Sequence, residues 1–417
     1  MSGDNTPPQG PLEGLTILDL TLALAGPFAT FLLAGLGARV IKIENPESPD
    51  PCRQNPPYLG REGVSLGRTC PDDVSVSALN RLRGKYGVTL NLKQPGANDV
   101  FARLLRQADV VVENFSAGTL ERLGVGYPFA RSINPRVIYC SISGFGATQA
   151  PGTGKAMDNI IQALSGLMMT SGMPDEPPVR VGVPVADLLA PVFGVIGILA
   201  ALRQREATGA GQHVDVSMLG VLTSLVAAEP FDLLEACGLP QRTGRVVPRL
   251  TPFGIYESAD GYVAICAPTE QFARGVFAAI GHPEFEHDPR FATRDARVAH
   301  VNQINAHIEA FTRTLPTAEL LPLLERHRVP AADVRSPREA VRDPRVLARG
   351  ETVSLEHPAF GQVADVVGMG VPITFSDARA GSMRPAPSVG QDNALVYGDW
   401  LGYGSAGVEN LRSAGII

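Results

Sequence analysis

At 417 residues the chain is too long for one small domain and predicts roughly two or three structural units. With 44% hydrophobic and 19% charged residues it can bury a large core, and a formal charge of −6 excludes a basic nucleic-acid footprint. The 44 glycines and 35 prolines follow no period, which excludes a collagen-like repeat and points to many turns.

The opening stretch Met1–Gln9 is polar and carries Pro7 and Pro8, so no secretory signal is read there. Leu15–Leu20 predicts a short buried strand. The Gly26-Pro27 turn follows, then a helix over Phe28–Leu36 and a second strand over Val40–Glu44. This strand–helix–strand run is a βαβ unit, expected to be right-handed. Gly35 and Gly37 close its helix instead of opening it. The glycine fingerprint of a nicotinamide-dependent dehydrogenase is therefore rejected.

Residues 45–80 are rich in Pro, Gly and Asp and read as a long surface excursion. Strands are expected at Gly87–Leu92, Asp109–Glu113 and Val137–Ile142, and a helix at Val100–Ala108. Ser116 is a candidate cap for the helix that carries Leu120 and Leu123. The alternation predicts an α/β layer with a mostly parallel sheet. Ligands of such sheets bind beyond the carboxyl ends of the strands, here at Thr21–Pro27, Glu44-Asn45, Asn114-Phe115 and Ser143-Gly144.

Leu188–Leu202 is the longest apolar run. It is short for a membrane span and is read as a buried core helix, continuing to about Arg205. Thr208–Gly211 ends it, and His213–Met218 is the next strand. Beyond about Gly244 a hairpin is expected from Phe253–Glu257 and Tyr262–Ala267. Short helices then run to about Arg342, giving a smaller second domain over roughly 244–342. Cysteines 52, 70, 140, 237 and 266 form no C-x-x-C pair, so reduced thiols in a cytoplasmic protein are expected and no metal site is read. All seven histidines lie at or after His213. Chemistry placed before that residue cannot use a histidine base, triad or metal ligand.

Asp187 precedes the apolar run directly and has two readings. One is a carboxylate capping a helix start. The other is an oriented nucleophile or base at the positive end of that helix. Pro191 favours a helix beginning near Ala190, with Asp187 just ahead of the cap.

The motifs PLEGLTILDL (11–20), LAGPFAT (24–30), GARVIKIE (37–44), VTLNLK (88–93), ADVVVENFSAGTLERLGVGY (108–127), NPRVIYCSISGFG (134–146), PPVRVGVPVAD (177–187) and TGAGQHVDVSM (208–218) resemble the class III CoA-transferase family. That family also contains the α-methylacyl-CoA racemases. The resemblance spans about Pro11 to Tyr403. It implies a large Rossmann-like α/β domain built from both chain ends, a smaller α+β domain, and an interlocked homodimer. The division it suggests is residues 1–220 for the large domain and 221–243 for a linker. Residues 244–342 form the small domain, and 343–417 return to the large one.

By the same resemblance Asp187 is the catalytic residue. Coenzyme A, arriving as an acyl-CoA, is a substrate, and no permanently bound cofactor is implied. The implied partners are that acyl-CoA and a small carboxylic acid, without nucleic acid or membrane. Ala23, Leu24, Ala25, Leu90, Lys93, Asn114, Phe115, Thr119, Arg122, Leu123 and Lys155 match coenzyme-contacting positions, with the Ser116–Thr119 amides placed for a phosphate. Asp158 matches an acidic residue near the active site.

Three departures bear on function. Met157 stands where the racemases carry a histidine acid/base, and a thioether does not move protons. The glycine run of the formyl-CoA transferases is missing from 238–254, which holds Arg242, Arg245 and Arg249 instead. This stretch has two readings: a solvated basic loop, or a loop in which one of these arginines binds the far carboxylate of a dicarboxylic acid. Leu82 replaces a usual asparagine, and the 50–80 excursion is atypical. The reading is an acyl-CoA:carboxylate CoA-transferase. A racemase-like or intramolecular isomerase and a non-catalytic subunit of a heteromeric transferase are the alternatives.

Overall fold

A computed structural model describes residues 10–147 and 155–417 of the chain. The polar opening stretch Met1–Gln9 lies outside the described residues. The chain divides into two compact units. The larger takes the described residues of Met1–Ser165, Val181–Val226 and Val341–Ile417; the smaller takes Gly166–Arg180 and Ala227–Ala340. Residues 166–180, which the sequence reading gave to the large domain, thus belong to the smaller unit, as does part of the stretch read as a linker.

The larger unit is built on six strands: β1 (Thr16–Asp19), β2 (Arg39–Glu44), β3 (Lys85–Thr89), β4 (Val110–Glu113), β5 (Ile138–Ser143) and β6 (His213–Ser217). Their spatial order is β3-β2-β1-β4-β5-β6, and every pair is parallel. This is a doubly wound, Rossmann-like sheet. Its strand order reverses between β1 and β4, where such sheets open a ligand crevice. Helices α1 (Ala25–Gly35), α2 (Ala97–Gln107), α3 (Asp158–Leu164) and α4 (Val185–Thr208) belong to the same unit.

Both ends of the chain complete this unit. The tail reaches the free edge of β3, where Asp392 accepts the Gly87 amide at 2.7 Å and the Tyr397 hydroxyl donates to the Thr89 carbonyl at 2.8 Å. Val396, Tyr397, Ile416 and Ile417 share a core with Leu90, Val100 and Phe101. An otherwise open sheet edge is thereby covered.

The 45–80 excursion is folded, contrary to the surface loop expected from its composition. Tyr58–Gly60 pairs antiparallel with Gly63–Ser65 and Val74–Ser75, and a helix follows at Val76–Arg81. Cys52, Ala78 and Leu82 form one buried cluster, and Leu59, Leu79 and Leu355 another. Leu82 is thus a packing residue. Composition missed this because the apolar positions are few and spaced between turns.

Helix α4 lays one face on the sheet. Gly194 and Gly197 allow the approach: a Cβ added at Gly197 would stand 2.6 Å from Val214, and one at Gly194 would stand 3.1 Å from Ile142. Among the described residues this helix is long and apolar enough to cross a membrane. Its packed face, with Ala190, Val195, Ile198 and Ala201 buried, is that of a core helix.

The smaller unit holds an antiparallel sheet of β7 (Phe253–Glu257), β8 (Tyr262–Cys266) and β9 (Ala331–Asp333). Val263, Ile265, Phe277, Ile304, Ile308 and Leu320 lie in its core.

Candidate functional site

The crevice loop follows β1. Asp19 ends the strand fully buried, and burial alone would raise its carboxyl. Lys85, Lys42 and the Thr21 and Thr30 hydroxyls outweigh that and hold it at about 2. The Lys85 ammonium stands 2.9 Å from Asp19, 2.7 Å from the Thr30 hydroxyl and 3.0 Å from the Pro27 carbonyl. Lys42 donates to the Thr21 carbonyl and pairs with Asp50 at 2.9 Å. These charges lie inside strands that are buried on both faces, so they persist only as a mutually satisfied set.

The turn itself is held by side chains on every backbone group. Asn114 accepts the Leu22 amide at 2.8 Å and donates to the Leu22 carbonyl at 2.9 Å. Asp50 accepts the Ala23 amide at 2.9 Å, and Arg81 donates to the Ala23 carbonyl at 3.0 Å. Ala23 has a φ of 65°, a left-handed conformation that costs an alanine about 1 kcal/mol. Such backbone strain survives where its surroundings over-determine it.

Asp187 lies inside the first turn of α4, which begins at Val185 with Pro184 as its flanking residue. The helix does not start near Ala190, because Pro191 is accommodated within it. Asp187 is also not the cap. That role falls to Asp158, whose Oδ1 accepts the Ala186 amide at 2.8 Å and the Asp187 amide at 3.4 Å. Gln162 holds the other Asp158 oxygen at 2.7 Å and accepts the Val181 amide at 2.9 Å. Asp158 is thus tied to the helix that carries Asp187. Burial and the Asp158 charge push the Asp187 carboxyl up to about 6, with Arg81 opposing them. A carboxylate of raised basicity at a helix start is a better nucleophile that remains largely ionised at neutral pH.

The other expected residues are distributed as follows. Leu24 and Ala25 are buried where α1 begins, and Ala23 is exposed. Leu90 is a core side chain, whereas Lys93 and Lys155 are exposed. Phe115 and Leu123 are half-buried against the core. Thr119 and Arg122 bracket a four-residue helical turn and bond to each other at 3.0 Å. Ser116 does not cap that turn. Gly118 occupies the cap position, and the Thr119 amide is taken by the Ser116 carbonyl, leaving fewer free N–H groups for a phosphate than the sequence suggested. Met157 is 72% exposed, immediately ahead of α3.

Sequence reasoning missed Asp50, Arg81 and Glu113. Burial raises the Glu113 carboxyl to about 7, against hydrogen bonds from Ser141 and the Phe115 amide. For Glu113 the available signal was a charged residue in an apolar strand; for Asp50 and Arg81, both within the Pro/Asp-rich excursion, there was none.

In the smaller unit the three arginines differ. Arg245 pairs with Glu309 at 3.1 Å, and Arg249 pairs with Glu229. Arg242 is 8% exposed and donates to the Pro174 carbonyl at 2.9 Å, while its Nη1 has no partner among the described residues.

Fold and site define a Rossmann-like α/β enzyme with a carboxylate at a helix start. The chain belongs to CoA-transferase family III, whose sequence profile matches residues 12–393. The resemblance read from its motifs is borne out. A succinate–glutarate CoA-transferase of Agrobacterium fabrum is 35% identical over 391 residues, 93% of this chain and 95% of its own length. An acetyl-CoA:oxalate CoA-transferase of Acetobacter aceti is 39% identical over 345 residues, 82% and 85% of the two chains. A solved CaiB/BaiF family protein from Brucella suis matches with a TM-score of 0.79 at 32% identity, covering 93% of this chain and 98% of its own.

Proposed function

We propose that the chain moves coenzyme A from an acyl-CoA donor to an organic acid, with Asp187 as the nucleophile. The carboxylate attacks the donor thioester and expels the CoA thiolate, leaving a mixed anhydride. The thiolate then attacks the aspartyl carbonyl and releases the donor acid, giving an aspartyl-CoA thioester. The acceptor carboxylate attacks that thioester, and the thiolate leaves again. The same thiolate finally attacks the acceptor carbonyl and regenerates Asp187. Every step exchanges one acyl bond for another, so no resident cofactor is needed.

The observation that carries this reading is the place of Asp187 in the first turn of α4, where Asp158 holds the turn's amides; the raised basicity of its carboxyl supports it. The names of the relatives support a dicarboxylic acceptor, since they act on succinate, glutarate and oxalate. By the resemblance, Met157, exposed here, matches the position of the racemases' second base, which counts against the racemase alternative. Val192, Phe193, Ile196 and Leu199 form an exposed apolar stripe on α4, which supports burial against a second copy in a homodimer. Five unpaired cysteines support a cytoplasmic setting.

Mass spectrometry of the protein mixed with a panel of acyl-CoA donors and organic acids tests the reading. A CoA adduct on the peptide carrying Asp187, discharged by one acid to its CoA ester, is expected. Turnover without any such adduct would overturn the covalent route.

A further inference from the structure

Gln162 lies on α3 one turn after Asp158 and is fully buried. Its side-chain amide is used at both ends. Nε2 donates to Asp158 Oδ2 at 2.7 Å, and Oε1 accepts the Val181 amide at 2.9 Å. Its backbone carbonyl accepts the Ser165 hydroxyl at 3.1 Å. Ser165 is the last residue of the larger unit before the chain passes to the smaller one, and Val181 is the first on its return. One residue thus binds the point of departure and the point of return.

The same amide sets the Asp158 carboxylate. With Oδ2 held by Gln162, Oδ1 is turned to the Ala186 and Asp187 amides at 2.8 and 3.4 Å. The segment from Val181 to Asp187 is therefore fixed at its start by Gln162 directly and at its end by Gln162 through Asp158. Only a side chain with one donor and one acceptor meets both demands: the Asp158 oxygen needs an N–H, and the Val181 amide needs an oxygen. An apolar side chain of similar size would fill the space and leave two polar groups unmet. Asp158 and Asp187 are the acidic groups that face this position. The helix Met218–Val226, which also packs on α3, carries no charged residue, and the nearest cations along the chain, Lys155 and Arg180, are exposed.

We propose that Gln162 is a positioning residue of this site: it aligns Asp158 on the first turn of α4 and thereby holds Asp187 in the orientation for attack. What Asp187 attacks rests on the proposed CoA transfer; the hydrogen-bond chain from Gln162 through Asp158 to α4 does not. Misplacing a reacting group by about 1 Å costs on the order of a hundredfold in rate, so a residue that touches no substrate still governs the chemical step.

The test compares wild type, Gln162→Met and Gln162→Glu in two measurements. The first is kcat against pH with an acyl-CoA and a dicarboxylic acid. Gln162→Met is expected to lose about 10- to 100-fold in kcat with KM for the acyl-CoA nearly unchanged. Gln162→Glu separates the hydrogen bond from packing. Its carboxyl, while protonated, donates to Asp158 as the amide does; once ionised, it repels Asp158. The ratio of its kcat to that of wild type is expected to fall about tenfold between roughly pH 6 and pH 8. A ratio that stays flat with pH would make Gln162 a packing residue and overturn the proposal. The second measurement is amide hydrogen exchange in the free protein. In Gln162→Met the Ala186 and Asp187 amides are expected to exchange about tenfold faster, while those of β5 keep their wild-type rates. Unchanged exchange at Ala186 and Asp187, or equal acceleration in β5, would also overturn the proposal. Should Gln162→Met fail to fold, Gln162→Glu decides by the same exchange comparison at the two pH values. If wild type transfers no CoA, the functional reading fails while hydrogen exchange still decides the role of Gln162.

Discussion

The Asp158 carboxylate faces Asp187 across the first turn of α4 and accepts the Asp187 amide at 3.4 Å. One acidic side chain thus orients the helix that carries a second while making the second harder to ionise. Two effects of opposite sign come from one group, and two substitutions separate them. Asp158→Asn keeps an oxygen for the amides and removes the charge. It should lower the Asp187 carboxyl and move the acid limb of kcat/KM to lower pH, with little change in stability. Asp158→Ala removes the cap as well and should cost about 1 kcal/mol in denaturant unfolding. An acid limb that stays in place in Asp158→Asn would show that the Asp158 charge is not felt at Asp187.

Asp187 itself supplies a test of chemistry and one of linkage. Asp187→Ala should abolish CoA transfer and leave CoA binding nearly intact, as read by calorimetry. Asp187→Asn should stabilise the fold at neutral pH. The folded carboxyl sits at about 6, above the ordinary 3.8, so it binds its proton more tightly folded than unfolded. Its contribution to stability is therefore greatest below pH 3.8 and is lost as pH rises through 6. The gain from Asp187→Asn should be on the order of 1–2 kcal/mol at pH 7 after screening, and should vanish near pH 4. Parallel melting curves of wild type and variant between these pH values check it.

Much of the large unit was legible in the sequence because its strands are short apolar runs between turn signals. The expected Val40–Glu44 and Asp109–Glu113 differ from β2 and β4 by a single residue. Asp187 was legible as a candidate because a carboxylate directly before a long apolar run is conspicuous. Its cap was not, since Asp158 is brought to the Ala186 amide by tertiary packing across 28 positions of sequence. The buried charges fall between these cases. Asp19, Lys42 and Lys85 interrupt apolar strands, and a buried charge requires a partner, but which charge meets which depends on the β3-β2-β1 order. That order places Lys85 beside Asp19 although 66 residues separate them.

Asn114 fixes the crevice turn through one donor and one acceptor, both spent on Leu22. Asn114→Ala leaves the Leu22 amide and carbonyl without those partners in a part-buried place. An unmet buried polar group costs about 1–3 kcal/mol, and the turn should lose its fixed form before the sheet does. CoA affinity is expected to fall by roughly tenfold or more, with only a small drop in melting temperature. Asn114→Asp keeps the acceptor but sets a carboxylate against the Leu22 carbonyl, and should bind CoA no better than Asn114→Ala. Unchanged affinity in both variants would remove the Leu22 turn from the binding site.

Lys85 has the opposite balance, with large effects on stability and small ones on specificity. Its ammonium is fully buried and joins Asp19, Thr30 and the Pro27 carbonyl. Lys85→Met fills similar volume but leaves Asp19 with Lys42 as its remaining cation, at 3.9 Å. Breaking a buried pair from one side costs about 3–5 kcal/mol, so the melting temperature should fall by several degrees at neutral pH. The pH dependence separates charge from packing. In the wild type Asp19 is held at about 2, below its ordinary 3.8, so its stabilising contribution is present above 3.8 and lost as pH falls through 2. Without Lys85 the folded carboxyl rises, and acid unfolding should begin at higher pH than in the wild type. A variant that is destabilised equally at pH 7 and pH 3 would show that Lys85 contributes packing alone.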